Sequence, residues 1–266
     1  MVSRLSVRLG VLSLFCGAMS LASPDVRAEG GVYDLVRRAD RVLRSKTSAA
    51  LFRMKIKTRS YERTLDIVFW EDDHGKVERT LIKILGPALW RGYGTLKVGS
   101  QLKLYNPRDN HVTVVGQSML GDAWMGSHFS NDDLVKETRL ATHYRAKIVK
   151  TWKGKAKGGA VTFHRISLWP KPTAPVAWGR IDYVLWVRGA LVMPTEARYF
   201  RKAHDRKARR MMHFGEVKKL GGRLVPSTMT VTVASKPGEF TRIRYRKLKF
   251  DVRLPKNKFT EQALRR

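Results

Sequence analysis

The residue types that could do chemistry are seven histidines, one cysteine and scattered carboxylates. The sequence contains no H-E-x-x-H zinc motif and no G-x-S-x-G nucleophile elbow, and a lone cysteine excludes a disulfide framework. His128, Asp132 and Asp133 have metal-ligand side chains at helical spacing. The two carboxylates are equally well explained as caps, because residues 130–133 have a capping-box spacing at a helix start. We therefore expect no enzyme activity, no metal site and no cofactor.

Basic side chains are the most abundant charged groups. The chain has 53 Lys and Arg against 22 Asp and Glu, a formal net charge of +31. Residues 29–140 carry a net +5 and residues 141–266 a net +24. A solvated surface explains such charge, and so does contact with phospholipid headgroups or an acidic partner. The candidate membrane- or partner-facing residues are Arg201, Lys202, Arg206, Lys207, Arg209 and Arg210 at a predicted hairpin tip, and Arg242, Arg244 and Arg246 along one predicted strand.

The N-terminus predicts a secretory signal peptide over residues 1–28. Arg4 and Arg8 precede an apolar stretch from Leu9 to Ala22, and Val26-Arg27-Ala28 is an A-x-A-like cleavage pattern. The apolar stretch is too short for a comfortable membrane span, so an uncleaved anchor is the weaker interpretation. Cleavage removes three basic residues and one acidic residue, which leaves a net charge of +29. We expect a periplasmic protein, for which nucleic acid is a poor partner.

The elements that must position these side chains begin with a helix. Six apolar residues recur at helical spacing, so the mature chain is expected to start with an amphipathic helix that lies on an apolar surface. These residues are Val32, Leu35, Val36, Ala39, Val42 and Leu43.

After the helix the hydrophobic period changes to two. Phe52, Met54 and Ile56 alternate with basic residues, which predicts a half-buried strand with a basic outer face. Short runs joined by tight turns continue to the C-terminus and predict an antiparallel meander of about ten strands. Residues 116–139 interrupt the meander, and residues 153–159 are expected to form a hairpin tip. Residues 29–266 are expected to form one domain. A sandwich, a closed barrel and a curved sheet with a helical lid all satisfy this pattern.

Several short motifs, taken in order, resemble the LolA-like family of outer-membrane lipoprotein-sorting proteins. The similarity spans roughly residues 33–264. His128 departs from it, because the family usually has an acidic residue there. The segments that carry the resemblance are Ile84–Pro87, Trp90–Gly94, Leu102–Pro107, Met125–Leu134 and Phe259–Leu264.

This resemblance implies a mainly β fold: a curved, incompletely closed antiparallel β-barrel whose apolar cavity lies beneath a helical lid. The lid would be the N-terminal helix together with residues 116–139. It also implies a periplasmic carrier that binds acyl chains of lipoproteins or other lipids and moves them between inner and outer membrane. The expected partners are an inner-membrane exporter, an outer-membrane acceptor and, transiently, an anionic membrane surface; we expect a monomer. The alternative is a lipid- or lipoprotein-sensing module that regulates a membrane partner.

An acyl carrier needs an apolar and adaptable cavity wall, since burying each methylene is worth roughly 0.8 kcal/mol. Aromatic and methionine side chains suit that role, although each of them is also a natural core residue. In the glycine-broken segment from Met119 to Phe129 they suggest a movable cover. The candidate cavity and lid residues are Phe52, Met54, Ile56, Ile67, Phe69, Met119, Trp124, Met125 and Phe129.

Overall fold

The computed structural model describes residues 25–75, 77–135, 140–174 and 176–266. Residues 1–24 of the predicted signal peptide and residues 136–139 of the predicted lid lie outside the described residues. In the part of the chain that is described, no helix combines the length and the apolar character needed to span a membrane.

Thirteen strands and four α-helices are present among the described residues. The strands are β1 (Thr47–Lys57), β2 (Glu62–Asp72), β3 (Arg79–Gly86), β4 (Gly94–Val98), β5 (Gln101–Asn106), β6 (His111–Val114), β7 (Tyr144–Ala156), β8 (Gly159–Pro170), β9 (Arg180–Arg188), β10 (Leu191–Phe200), β11 (Arg210–Leu220), β12 (Arg223–Val233) and β13 (Phe240–Phe250). The helices are α1 (Asp25–Asp40), α2 (Asn131–Val135), α3 (Leu140–His143) and α4 (Glu261–Arg265).

All thirteen strands form one antiparallel sheet that does not close. Its order is β6-β5-β4-β3-β2-β1-β13-β12-β11-β10-β9-β8-β7, so β6 and β7 are its two edges. Two meanders of neighbouring strands meet where β1 pairs with β13, from Ser48 opposite Phe250 to Lys57 opposite Phe240. The predicted open half-barrel is confirmed, and the sandwich and the closed barrel are excluded.

Helix α1 covers the inner face of one half of the sheet, as the apolar spacing predicts. Val32, Val36 and Ala39 are buried against inward side chains of β8 to β12, among them Ile166 and Leu185. The helix ends at Asp40, and the basic Arg37 and Arg38 occupy its last turn, where they interact favourably with the helix dipole.

The inner face of the other half is covered by the lid segment, which runs from the end of β6 through α2. Trp124, Met125, Phe129 and Leu134 pack against the inward residues of β1, β2 and β3. Residues 117–119 and 124–126 of this segment form short 3-10 turns. Together with α1 it forms the lid of the half-barrel.

The C-terminal segment covers the outer face of the same half. Phe259 and Leu264 are buried against Leu81, Leu96 and Tyr105 of β3, β4 and β5. Thr260 caps α4, because its hydroxyl accepts from the Ala263 amide at 3.2 Å. The last helix is therefore packed on the side of the sheet opposite the lid.

The sequence pattern predicts about ten strands, whereas the described residues form thirteen, and β7 is absent from the prediction. The pairing of β7 with β8 shifts register between Ile148 and Lys150. That bulge breaks the period-two pattern, since one extra residue moves the following side chains to the opposite face. The predicted hairpin tip is shorter than expected: β7 runs to Ala156 and β8 resumes at Gly159.

Candidate functional site

A cavity of about 340 Å³ lies between the inner face of the sheet, the C-terminal end of α1 and the lid segment. Small-molecule pockets in proteins measure roughly 300–1,000 Å³, so this cavity is large enough for part of a lipid. Its wall is mainly aromatic and aliphatic. The apolar side chains that line it include Val42, Leu43, Phe52, Phe69, Ile82, Leu102, Trp124, Phe129, Leu134, Met212, Phe214, Met229, Ile243 and Leu248.

Four of the nine predicted cavity residues line this space: Phe52, Phe69, Trp124 and Phe129. The other five do not. Met54, Ile56 and Ile67 are fully buried in the same apolar cluster as Trp124, where they act as core beside the cavity. Met125 packs on the edge of that cluster, and Met119 is half-buried with its carbonyl accepting from the Asn131 side chain at 2.9 Å.

Polar contacts fix the lid segment to the sheet on both sides. The Trp124 indole donates to Thr95 Oγ1 at 3.0 Å, and Arg63 donates to the Met125 carbonyl at 2.8 Å. The His128 amide donates to Thr241 Oγ1 at 2.9 Å. Residues 124–128 are thus anchored to β2, β4 and β13, which argues against the movable cover suggested for this stretch.

His128 serves as one of these anchors. Its Nδ1 lies 2.8 Å from Thr241 Oγ1 and its Nε2 lies 3.4 Å from Glu239 Oε2. Burial is the main influence on the imidazole and lowers its pKa. In the described ranges no group of three His, Cys, Asp or Glu side chains is arranged to hold a metal ion. The candidate group with Asp132 and Asp133 is not assembled, and His128 contacts β13.

The cavity wall also contains an ion-pair network. Arg44 Nη1 lies 3.5 Å from Glu71 Oε1 and 3.7 Å from Glu78 Oε1, and Lys97 Nζ donates to Glu78 Oε2 at 3.0 Å. Burial raises the pKa of Glu71, although Arg44 opposes the shift. Removing one partner of such a network leaves a buried charge uncompensated, which typically costs about 3–5 kcal/mol.

Asp40, the last residue of α1, faces the same cavity. Burial is the main reason that its pKa is raised to about 6, and Arg44 and a backbone hydrogen bond at Leu140 oppose that shift. The carboxylate also lies at the negative end of the helix dipole, which disfavours an anion. The cavity therefore has an apolar body and a charged end.

Arg210 and Asp133 form a second charged pair at the cavity. The Arg210 Nη1 and Nη2 groups donate to Asp133 Oδ2 and Oδ1 at 2.6 and 2.8 Å. The guanidinium lies 4.9 Å from the Trp178 ring centroid and 4.7 Å from that of Tyr199. The same carboxylate accepts from the Ser130 amide at 2.8 Å, which confirms the predicted capping box of α2.

Arg210 is not part of the exposed basic surface that the sequence predicts. It is only 8% exposed, because β11 begins there and its side chain shares the inner face with Met212. The other five basic residues of that tip are exposed in the loop between β10 and β11: Arg201, Lys202, Arg206, Lys207 and Arg209.

The basic stripe on β13 is exposed as expected, but acidic neighbours offset it. Arg244 lies 2.9 Å from Glu216, and Arg246 lies 3.6 Å from Asp66. Arg242 donates to the Thr230 hydroxyl at 3.1 Å. These three arginines are therefore partly compensated surface charges on the outer face of the sheet.

A family model described only as an uncharacterized protein matches residues 76–266, which is most of the chain. The chain belongs to that family. No curated protein sequence matches the chain.

Solved structures share the fold over nearly their whole length. A DUF1329 family protein from Desulfovibrio piger superposes with a TM-score of 0.73 at 23% identity, covering 89% of this chain and 99% of that one. An outer membrane lipoprotein-sorting protein domain from Vibrio parahaemolyticus gives 0.70 at 20% identity, covering 90% and 100%. A LolA superfamily protein from Nitrosomonas europaea gives 0.65 at 15% identity, covering 87% and 98%. The fold of this family member is LolA-like.

Within this LolA-like fold, the segments that carried the resemblance form two surfaces. Met125–Leu134 closes the inner face above the cavity, whereas Phe259–Leu264 packs on the outer face.

Sequence reasoning missed the charged end of the cavity. A signal was present for Glu71, because it has the same strand parity as the inward-facing Ile67 and Phe69.

Proposed function

We propose that this LolA-like protein is a periplasmic carrier that binds acyl chains of lipoproteins or other lipids and moves them between the inner and outer membranes. The observation that carries this proposal is the aromatic and aliphatic cavity beneath the lid. A carrier must keep hydrocarbon from water, and each shielded methylene is worth roughly 0.8 kcal/mol. The likeness to an outer membrane lipoprotein-sorting domain supports the same function.

The apolar wall of the cavity surrounds one end of the cargo, and the charged side chains of the protein contact its polar end. Phe52, Phe69 and Phe129 provide the apolar wall, while Asp40 and Arg44 lie at the charged end. An amphiphile with a hydrocarbon tail and a polar junction suits this arrangement better than a bare alkane, because both kinds of wall find partners. The charged groups serve binding, and we assign no catalytic step to them.

Entry of cargo requires part of the lid to move. Residues 124–128 are anchored at several points, whereas the Arg210–Asp133 pair joins α2 directly to β11. In this proposal an inner-membrane exporter supplies the cargo, an outer-membrane acceptor receives it, and the protein acts as a monomer.

The experiment is lipid extraction from the purified native protein with mass spectrometry, paired with titration of a fluorescent fatty acid. Saturable probe binding and co-purified lipid are expected. Phe69→Glu places a charge in the cavity wall and should weaken probe binding at least tenfold. Leu89→Glu, at a residue that is 62% exposed, is the matched control and should bind as the parent does. A parent protein with no bound lipid and no saturable probe binding overturns the proposal.

A further inference from the structure

One long stretch of the chain carries positive charge without any acidic residue. Residues 141–181 contain nine Lys and Arg and no Asp or Glu. Most of them belong to the hairpin of β7 and β8, whose turn lies at Lys157-Gly158. The exposed cations of this hairpin are Arg145, Lys147, Lys150, Lys153, Lys155 and Lys157.

The register of the hairpin distributes these cations over both of its faces. Because of the bulge between Ile148 and Lys150, Lys150 lies on the same face as Arg145 and Lys147. Lys153 and Lys155 lie on the opposite face. β7 is an edge of the sheet, and its Ala146 amide donates to the Tyr33 hydroxyl of α1 at 3.3 Å. The hairpin thus presents positive charge on both of its faces.

Acidic side chains do not neutralise this charge in the part of the chain that the structure describes. None of the ion pairs among those residues includes a cation of β7; the Lys153 ammonium donates instead to the Thr162 hydroxyl at 3.1 Å. The basic stripe of β13 differs, because Arg244 and Arg246 are paired with Glu216 and Asp66. Among the described residues, the hairpin is therefore a basic surface without acidic partners.

An aromatic pair lies among the lysines. The rings of Trp152 and Phe163 stack with centroids 5.2 Å apart and planes 7° apart, and both side chains are half-buried. Lys150 Nζ lies 5.8 Å from the Trp152 ring. Tryptophan beside lysine is the combination that membrane interfaces favour, because the ring is amphipathic and the ammonium reaches the headgroups.

The tip of the hairpin extends beyond the neighbouring strand. Thr162 is the first residue of β8 with a partner on β9, so residues 153–161 are paired only within the hairpin. The tip is joined to β9 through a side chain, since Arg188 Nη1 donates to the Lys157 carbonyl at 3.2 Å.

Protection of a sheet edge also favours lysines. The opposite edge, β6, is protected differently: it has four residues, His111–Val114, and no Lys or Arg. Edge protection explains the lysines of β7. It does not explain the Trp152–Phe163 pair or the absence of any acidic residue over 41 positions.

We propose that the β7–β8 hairpin is the surface through which this protein docks on an anionic phospholipid bilayer. Charge complementarity favours an anionic bilayer as the partner of this surface, since each Lys or Arg close to an anionic leaflet strengthens binding roughly fivefold. The inference deepens the proposed carrier function, which requires contact with a membrane, but it rests on separate residues.

The test is co-sedimentation with phosphatidylcholine vesicles that do or do not contain phosphatidylglycerol, at low and at high salt. The hairpin variant carries Gln at Lys147, Lys150, Lys153 and Lys155. Its affinity for the anionic vesicles should fall on the order of a hundredfold or more. Arginine at the same four positions should preserve binding. The matched control removes four charges elsewhere, at Lys55, Arg242, Arg244 and Arg246, and should lose less than tenfold.

Two results overturn the inference: a hairpin variant that binds anionic vesicles as tightly as the parent, or equal losses in the hairpin variant and the matched control. Fatty-acid probe titration of the same variants separates this proposal from the carrier function. Probe affinity should be unchanged in both variants, because neither set of substitutions lines the cavity. A parent protein that binds vesicles but no probe would refute the carrier and leave the docking surface standing.

Discussion

Asp133 joins two distant parts of the chain: its carboxylate caps the first turn of α2 and at the same time accepts both terminal nitrogens of Arg210, at 2.6 and 2.8 Å. The pair lies at the cavity, and aromatic rings flank the guanidinium. Because the bridge is buried and bidentate, each partner depends on the other for compensation of its charge.

Replacing Arg210 with Met should lower the free energy of unfolding by about 3–5 kcal/mol, since Asp133 is then left buried without its partner. Urea unfolding measures the loss. Adding Asp133→Asn should restore part of it, so a double-mutant cycle should report favourable coupling. Arg209→Met is the matched control at an exposed neighbour, with an expected change within about 0.5 kcal/mol. Equal losses for Arg209→Met and Arg210→Met would contradict the buried pairing.

Asp40 should make the protein less stable as the pH rises. Burial raises its pKa to about 6 in the folded protein, above the ordinary value of 3.8. Between these values the folded state binds more protons than the unfolded state, so stability falls from about pH 4 to pH 6 and then remains lower. The difference amounts to at most about 3 kcal/mol.

The measurement is the free energy of unfolding of Asp40→Asn between pH 4 and pH 8. The variant should be more stable than the parent at pH 7, by about 1–3 kcal/mol, and its curve should be flatter from pH 4 to pH 6. Asp34→Asn, on the exposed side of α1, is the control. Parallel curves for Asp40→Asn and the parent would show that Asp40 is not the titrating group.

The C-terminal helix should stabilise the fold without contributing to the cavity. Leu264 is fully buried on the outer face of the sheet, so Leu264→Ala should cost about 2–5 kcal/mol. Affinity for a fluorescent fatty acid, measured at a temperature where the variant is folded, should stay within about twofold of the parent, since only inner-face residues line the cavity. Loss of probe affinity that exceeds the unfolded fraction would place α4 in the binding site.

The loop between β10 and β11 provides a further test of the basic surface. Gln at Arg201, Lys202, Arg206 and Lys207 should weaken binding to anionic vesicles, more at low salt than at high salt, because a Debye length of about 10 Å at 0.1 M screens exposed charges. The loss should be smaller than that of the β7–β8 hairpin, since Asp205 lies within the loop and binds the Lys202 amide at 3.0 Å. Unchanged vesicle binding would assign these charges to solubility alone.

Local patterns in the sequence predicted the elements well. The helical spacing of Val32, Leu35, Val36 and Ala39 identified α1, whereas Val42 and Leu43 lie beyond its end at Asp40. Period-two alternation identified the strand that contains Phe52 and Met54. Such patterns record which side of an element is buried. They do not record what covers it, so the choice of a half-barrel came from the family resemblance.

Tertiary contacts explain what the sequence did not reveal. Arg44 follows α1, Glu71 lies near the end of β2 and Lys97 lies on β4. Only the folded sheet brings them together with Glu78. Likewise, the sequence does not distinguish Arg210 from its basic neighbours. Its side chain lies on the inner face because β11 begins at this residue, and the start of the strand fixes which face each side chain occupies. The cavity residues were predicted in part, since core and cavity side chains have the same composition.

The pairing of β1 with β13 has a consequence for how the molecule folds. Each meander consists of strands that are neighbours in sequence, whereas this seam joins Ser48 to Phe250 across roughly 200 residues. Closing so large a loop costs conformational entropy before any contact repays it, which slows folding. We therefore expect the two meanders to assemble before the seam, so that a partly folded chain exposes the edges of β1 and β13 to pairing with other chains.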